Sequence, residues 1–133
     1  MSRGGERHGR VRVVVVDDDE DLRTLIELMI DQDSRFRLVG AAQDGVEAVS
    51  LVARLQPDAV VLNVRLPGLD GIDALPLLRR RAPKSKMVAY SAFADPWTLA
   101  AVLQAGADSY LDVSATWSEL LPTLEALLEF EKA

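Results

Sequence analysis

The sequence contains no cysteine, which excludes disulfides, thiolate zinc sites and cysteine nucleophiles. Histidine occurs once, as His8, with no other ligand set around it, so no metal site is read there. Neither a Ser-His-Asp set nor a Gly-rich phosphate loop is present, and nothing supports catalysis. No apolar run approaches the roughly 20 residues that span a bilayer. The N-terminus has no apolar core of a signal peptide. The expectation is a cytoplasmic protein that does not engage a membrane.

What remains is enough for one domain. At 133 residues, 49% of them hydrophobic, the chain can bury a core and is not disordered as a whole. The formal charge is −6. Residues 1–10 hold Arg3, Arg7 and Arg10 against Glu6, a net of +2, so the other residues carry −8. A body that acidic is a poor ligand for nucleic-acid phosphates by itself. Residues 1–10 read as a disordered, solubilising basic tail, and residues 11–133 as the domain.

Strand-length apolar runs alternate with segments of helical period. The expected strands are Arg12–Asp17, Phe36–Ala41, Ala59–Asn63, Met87–Tyr90 and Ser109–Asp112. The expected helices are Glu20–Asp31, Val46–Leu55, Ile72–Arg81, Pro96–Ala105 and Trp117–Phe130. Thr116-Trp117-Ser118-Glu119 has the capping-box pattern, and Asp112–Ala115 has no helical periodicity. Pro76 and Pro122 fall inside two helices, where each is expected to kink the helix or delay its start. Continuous Val/Leu runs suit strands covered on both faces. Five such units imply an α/β, flavodoxin-like, doubly wound parallel sheet of order 2-1-3-4-5 with helices on both faces.

In that architecture the crevice lies between strands 1 and 3, and the residues ending those strands are Asp17, Asp18 and Asn63. Asp19, Glu20 and Asp21 are accounted for as helix capping and solvated charge. Asp17 and Asp18 are read as functional from their place at the crevice.

The acid pair, the strand running into Leu66-Pro67-Gly68-Leu69-Asp70-Gly71, the Ser91 loop and Ala105-Gly106-Ala107-Asp108-Ser109-Tyr110-Leu111 resemble the receiver domain of two-component (chemotaxis-type) response regulators. The resemblance covers about residues 11–131. It implies that Asp17 and Asp18 hold Mg²⁺, a hard cation that takes oxygen ligands. It also implies that position 63 is the phosphoryl acceptor, that Ser91 and Tyr110 are the switch pair, and that position 113 is a lysine. Two departures stand out. Asn63 is an amide, which is no nucleophile and carries no charge. Val113 stands where the lysine is expected. The losses make joint electrostatic sense, because an ammonium left without its carboxylate is costly.

The resulting expectation is an atypical receiver that signals without phosphorylation, with no cofactor or only weak Mg²⁺. Its partner would be a protein, an output domain, a second copy or a small ligand. Asn63 is expected to donate a hydrogen bond to Asp17 or Asp18. Two alternatives stay open: an ordinary phospho-accepting receiver whose aspartate was replaced, and a small-molecule module using the strand 1/strand 3 crevice. Trp97 and Trp117 are read chiefly as core-edge packing. With Tyr110 they also mark a candidate interface on the helix 4–strand 5–helix 5 face, through which a homodimer would form. No output domain follows the fifth helix in this sequence, and both a stand-alone regulator and the front of a longer one fit.

Overall fold

The computed structural model describes residues 9–92 and 95–128, with Thr116 and Trp117 described by backbone alone. The strands are β1 (Val11–Val16), β2 (Phe36–Ala42), β3 (Ala59–Asn63), β4 (Lys86–Ser91) and β5 (Ser109–Asp112). The helices are α1 (Glu20–Asp31), α2 (Gly45–Leu55), α3 (Gly71–Arg81), α4 (Pro96–Ala105) and α5 (Thr116–Leu128). All strand pairs are parallel, in the order β2-β1-β3-β4-β5, as the alternation of elements predicts.

Strand parity divides the core in two. Val14 and Val16 of β1, with Val60 and Leu62 of β3, face Ala48 and Val52 of α2, Leu75 and Leu78 of α3, and Val102 of α4. Val11, Val13 and Val15, with Ala59, Val61, Val88 and Tyr90, face Ile26 and Ile30 of α1 and Leu120 and Leu124 of α5. Burial on both faces is why these strands read as unbroken apolar runs.

Asp19, Asp44, Asp70 and Asp95 cap α1 to α4, each accepting a backbone N–H from the first turn. Pro76 and Pro122 lie inside α3 and α5 without delaying either start. At the start of α5 the sequence expectation needs correction. Asp112 Oδ1 accepts from the Ser114 N–H and hydroxyl, folding Val113–Ala115 into a 3₁₀ turn that feeds directly into the helix. Thr116 is therefore the first helical residue rather than a cap preceding it. The expected tail lies outside the described residues except for Gly9 and Arg10, as does the end of the last helix past Leu128.

One junction positions the site. The Gly71 N–H donates to Val64 O at 2.7 Å. A Cβ on Gly71 would sit 2.7 Å from Val64 Cα and 2.8 Å from Asn63 O. Only a glycine lets α3 start this close to the end of β3.

Candidate functional site

Strand register aligns the site. Val16 pairs with Leu62, so Asp17 continues β1 opposite Asn63, and Asn63 pairs with Tyr90 on β4. These three residues share the parity of Val15, Val61 and Val88 and form one row across the carboxyl ends of the central strands, on the α1/α5 side.

Asp17 is fully buried. Its Oδ1 accepts the Asp19 N–H at 2.9 Å. Its Oδ2 accepts the Tyr90 hydroxyl at 2.5 Å and the Asn63 amide Nδ2 at 3.4 Å. Its backbone carbonyl accepts from Arg23 Nη1 at 2.8 Å. Asn63 is itself oriented from the other end: its Oδ1 accepts the Arg65 N–H at 2.9 Å. Turning the amide over would oppose two oxygens and two N–H groups, so the nitrogen faces Asp17. The expected donation from Asn63 is therefore made, and to Asp17. Asp18 is exposed and takes neither bond.

Tyr90 is fully buried among the valines of β1, β3 and β4. Burial first, then the charge of Asp17, hold its phenol above the ordinary tyrosine range, so it is a neutral donor. Sequence reasoning read Tyr90 only as a strand residue and missed its role. The signal was available. A tyrosine in a strand covered on both faces must place its hydroxyl somewhere, and the register row places it beside Asp17.

Ser91 and Tyr110 have the opposite parity, and their hydroxyls hydrogen-bond each other. The Tyr110 hydroxyl is thus engaged with Ser91. Beside Ser91 a cleft of about 240 Å³ opens between the β3–α3 loop and α4, lined by Val64, Arg65, Asp70, Ile72, Ser91 and Thr98. Val113 packs, half-buried, onto the α1/α5 core cluster. Trp97 corrects an expectation: it is 88% exposed and packs on no core edge. The Trp117 side chain lies outside the described residues.

A divalent cation fits this arrangement poorly. Mg²⁺ needs carboxylate lone pairs it can approach and coordinated waters around it. Here both oxygens of the buried acid already accept protein donors, and position 63 turns an N–H₂ group toward it. Among the described residues no three acids or histidines gather as a metal ligand set.

Known proteins agree with the fold. The chain is 39% identical over 118 residues to response regulator MprA of Mycobacterium sp. (strain KMS), covering 89% of this chain and 50% of that protein. It is 40% identical over 73 residues to a protein-glutamate methylesterase/protein-glutamine glutaminase of Thermotoga maritima, covering 55% of this chain and 21% of that one. The chain thus spans half or less of these relatives. Among solved structures, the signal receiver domain of the response regulator NarL from Mycobacterium tuberculosis superposes with a TM-score of 0.86 at 28% identity, covering 92% and 99% of the two chains. The receiver domain of sensor histidine kinase PA1611 from Pseudomonas aeruginosa, with a magnesium ion coordinated in its active-site cleft, gives 0.81 at 28% identity, covering 91% and 99%. The sequence pattern described as "Response regulator receiver domain" matches residues 13–125, and the chain belongs to that family.

Proposed function

We propose that this receiver domain signals without accepting a phosphoryl group, as a regulatory interaction module of a two-component system. The observation that carries the reading is the amide of Asn63, held between Asp17 and the Arg65 N–H where the resemblance expects the acceptor carboxylate. Phosphoryl transfer requires an anionic oxygen in line and a cation to neutralise developing charge. Asn63 supplies no such oxygen, and Val113, packed in an apolar cluster, supplies no ammonium. The paired loss disfavours the second reading, an ordinary receiver with only its acceptor replaced.

Output then comes from binding. The best-supported surface is α4, whose ten residues carry no charge and expose Trp97, Leu99 and Leu103. With Tyr110 of β5 next to it, and Trp117 as the candidate contribution of α5, this face would take a protein partner, an output domain or a second copy. No helix among the described residues is long and apolar enough to cross a membrane. The domain is assigned to the cytoplasm, with no cofactor or only weakly held Mg²⁺. The test is incubation with acetyl phosphate and Mg²⁺, read by intact mass. The parent protein acquires no phosphoryl adduct, and Asn63→Asp labels slowly or unstably because Val113 does not replace the cation. Stoichiometric labelling of the parent protein would overturn the assignment.

A further inference from the structure

We propose that Tyr90 is the built-in occupant of the cation position in this site, so that the carboxylate of Asp17 is closed to metal by a phenol hydroxyl of the same chain. The inference rests on the phosphorylation-independent reading and adds a second, separate lock to it. Asn63 removes a ligand, whereas Tyr90 covers one that remains.

The argument starts from Asp17. A fully buried carboxylate needs either a cation or several hydrogen-bond donors, because an uncompensated charge in the interior is costly. Three donors are provided, the Asp19 N–H, the Asn63 amide and the Tyr90 hydroxyl. The tyrosine bond is the shorter of the two on Oδ2, 2.5 Å against 3.4 Å, and only it comes from an OH group. Tyr90 does not reach Asp17 by chance of rotamer. It lies in the register row that holds Asp17 and Asn63, and its ring is gripped by the α1/α5 core cluster. A cation entering at Asp17 would have to break this bond and turn a fully buried hydroxyl away among the apolar side chains of the α1/α5 cluster.

The consequence is specific. Restoring a carboxylate at position 63 does not by itself restore a metal site. Removing the Tyr90 hydroxyl opens Asp17 whether position 63 is Asn or Asp. Tyr90 is a positioning residue in this scheme, acting through the carboxylate it occupies.

The test uses the full chain as four proteins: the parent, Tyr90→Phe, Asn63→Asp, and Asn63→Asp with Tyr90→Phe. Mn²⁺ is titrated into each, and free Mn²⁺ is followed by its electron paramagnetic resonance signal. Tyr90→Phe is expected to raise Mn²⁺ affinity by about tenfold or more in both backgrounds, the scale on which outer partners tune metal sites. The double variant is expected to bind one ion most tightly. Affinity unchanged by Tyr90→Phe in both backgrounds overturns the proposal. Near-UV circular dichroism checks that each variant is folded. Should a variant not fold, the parent protein decides alone, through the tyrosine absorbance under millimolar Mg²⁺. No change is expected, and a perturbed tyrosine would mean that metal displaces the hydroxyl and the proposal fails. Labelling of the parent by acetyl phosphate would instead sink the functional reading, so the two failures are separable.

Discussion

Replacing Asn63 by aspartate changes one atom type and almost no volume, so its cost reads the electrostatics of the site directly. The new carboxylate would keep the Arg65 N–H on one oxygen and turn the other toward Asp17 Oδ2, where the amide nitrogen now stands 3.4 Å away. Two unit charges about 4 Å apart repel by about 4 kcal/mol at an effective permittivity near 20. Protonation sets a ceiling of similar size: holding a carboxyl neutral at pH 7 costs about 1.36 kcal/mol for each of the roughly three units above its ordinary pKa. Asn63 is half-buried and Asp17 keeps two strong donors, so about 2–3 kcal/mol is the expected loss. The sign with pH follows from linkage. The folded-state pKa of the introduced carboxyl is raised, so the folded variant binds more protons than the unfolded chain. Its deficit is full near neutral pH, shrinks as pH falls, and vanishes below about 4. Urea unfolding of parent and variant in metal-free buffer at pH 7.5 and pH 5 measures this, with a midpoint lower by about 1 M at the higher pH. Equal midpoints at pH 7.5 would refute the placement of Asn63 against Asp17. A deficit independent of pH would show that packing, not charge, is at stake.

Three further outcomes follow from other contacts. Tyr90 is held neutral by burial and by Asp17, so its folded pKa exceeds the unfolded value near 10; its contribution is complete below that value and is lost as pH rises above it, by about 1.4 kcal/mol per unit. Absorbance at 295 nm should show one of the two tyrosines ionising only as the protein unfolds, and Tyr90→Phe, about 1.5–3 kcal/mol less stable at pH 7, should abolish that step. Arg79 donates to the carbonyls of Pro83, Ser85 and Gly106 and to Asp108 Oδ2, tying the α3–β4 loop to the start of β5. Arg79→Ala should cost about 2 kcal/mol in urea unfolding, and Arg79→Lys should recover little, because an ammonium has no fork to span those acceptors. Gly71→Ala drives a Cβ into Val64 and the Asn63 carbonyl, rigid backbone on both sides, and should lower stability by about 2 kcal/mol or more in thermal unfolding.

How much of this was legible beforehand depended on the kind of signal. Valine runs and helical spacing located all ten elements, with the described boundaries within about a residue, because those patterns report burial on two sheet faces. The start of α5 was misread because a local motif competed with a stronger local partner. Thr116 fits a capping box, but Asp112 captures Ser114 first and winds the chain a turn earlier. Trp97 was misjudged for a different reason. α4 carries no charge and only two polar side chains, Thr98 and Gln104, with Val102 its only fully buried residue, so periodicity says little about which side faces out.

Tyr90 shows where reading a site by strand ends alone falls short. Asp17 and Asn63 were found because each ends a strand at the crevice, whereas Ser91, the residue after Tyr90, was found through the family resemblance. But a sheet presents rows as well as ends. Once β3 and β4 are placed in register, Asn63 and Tyr90 are opposite one another, and parity sends both side chains to the side occupied by Asp17. In that row the amide and the phenol both donate to the carboxylate, whereas a carboxylate in place of the amide would remove one donor and set a second charge beside Asp17. The neutral residue at 63 and the tyrosine at 90 therefore support one another. Each makes the buried charge of Asp17 tolerable without a metal, which is why changing either alone should cost more stability than its lost contact accounts for.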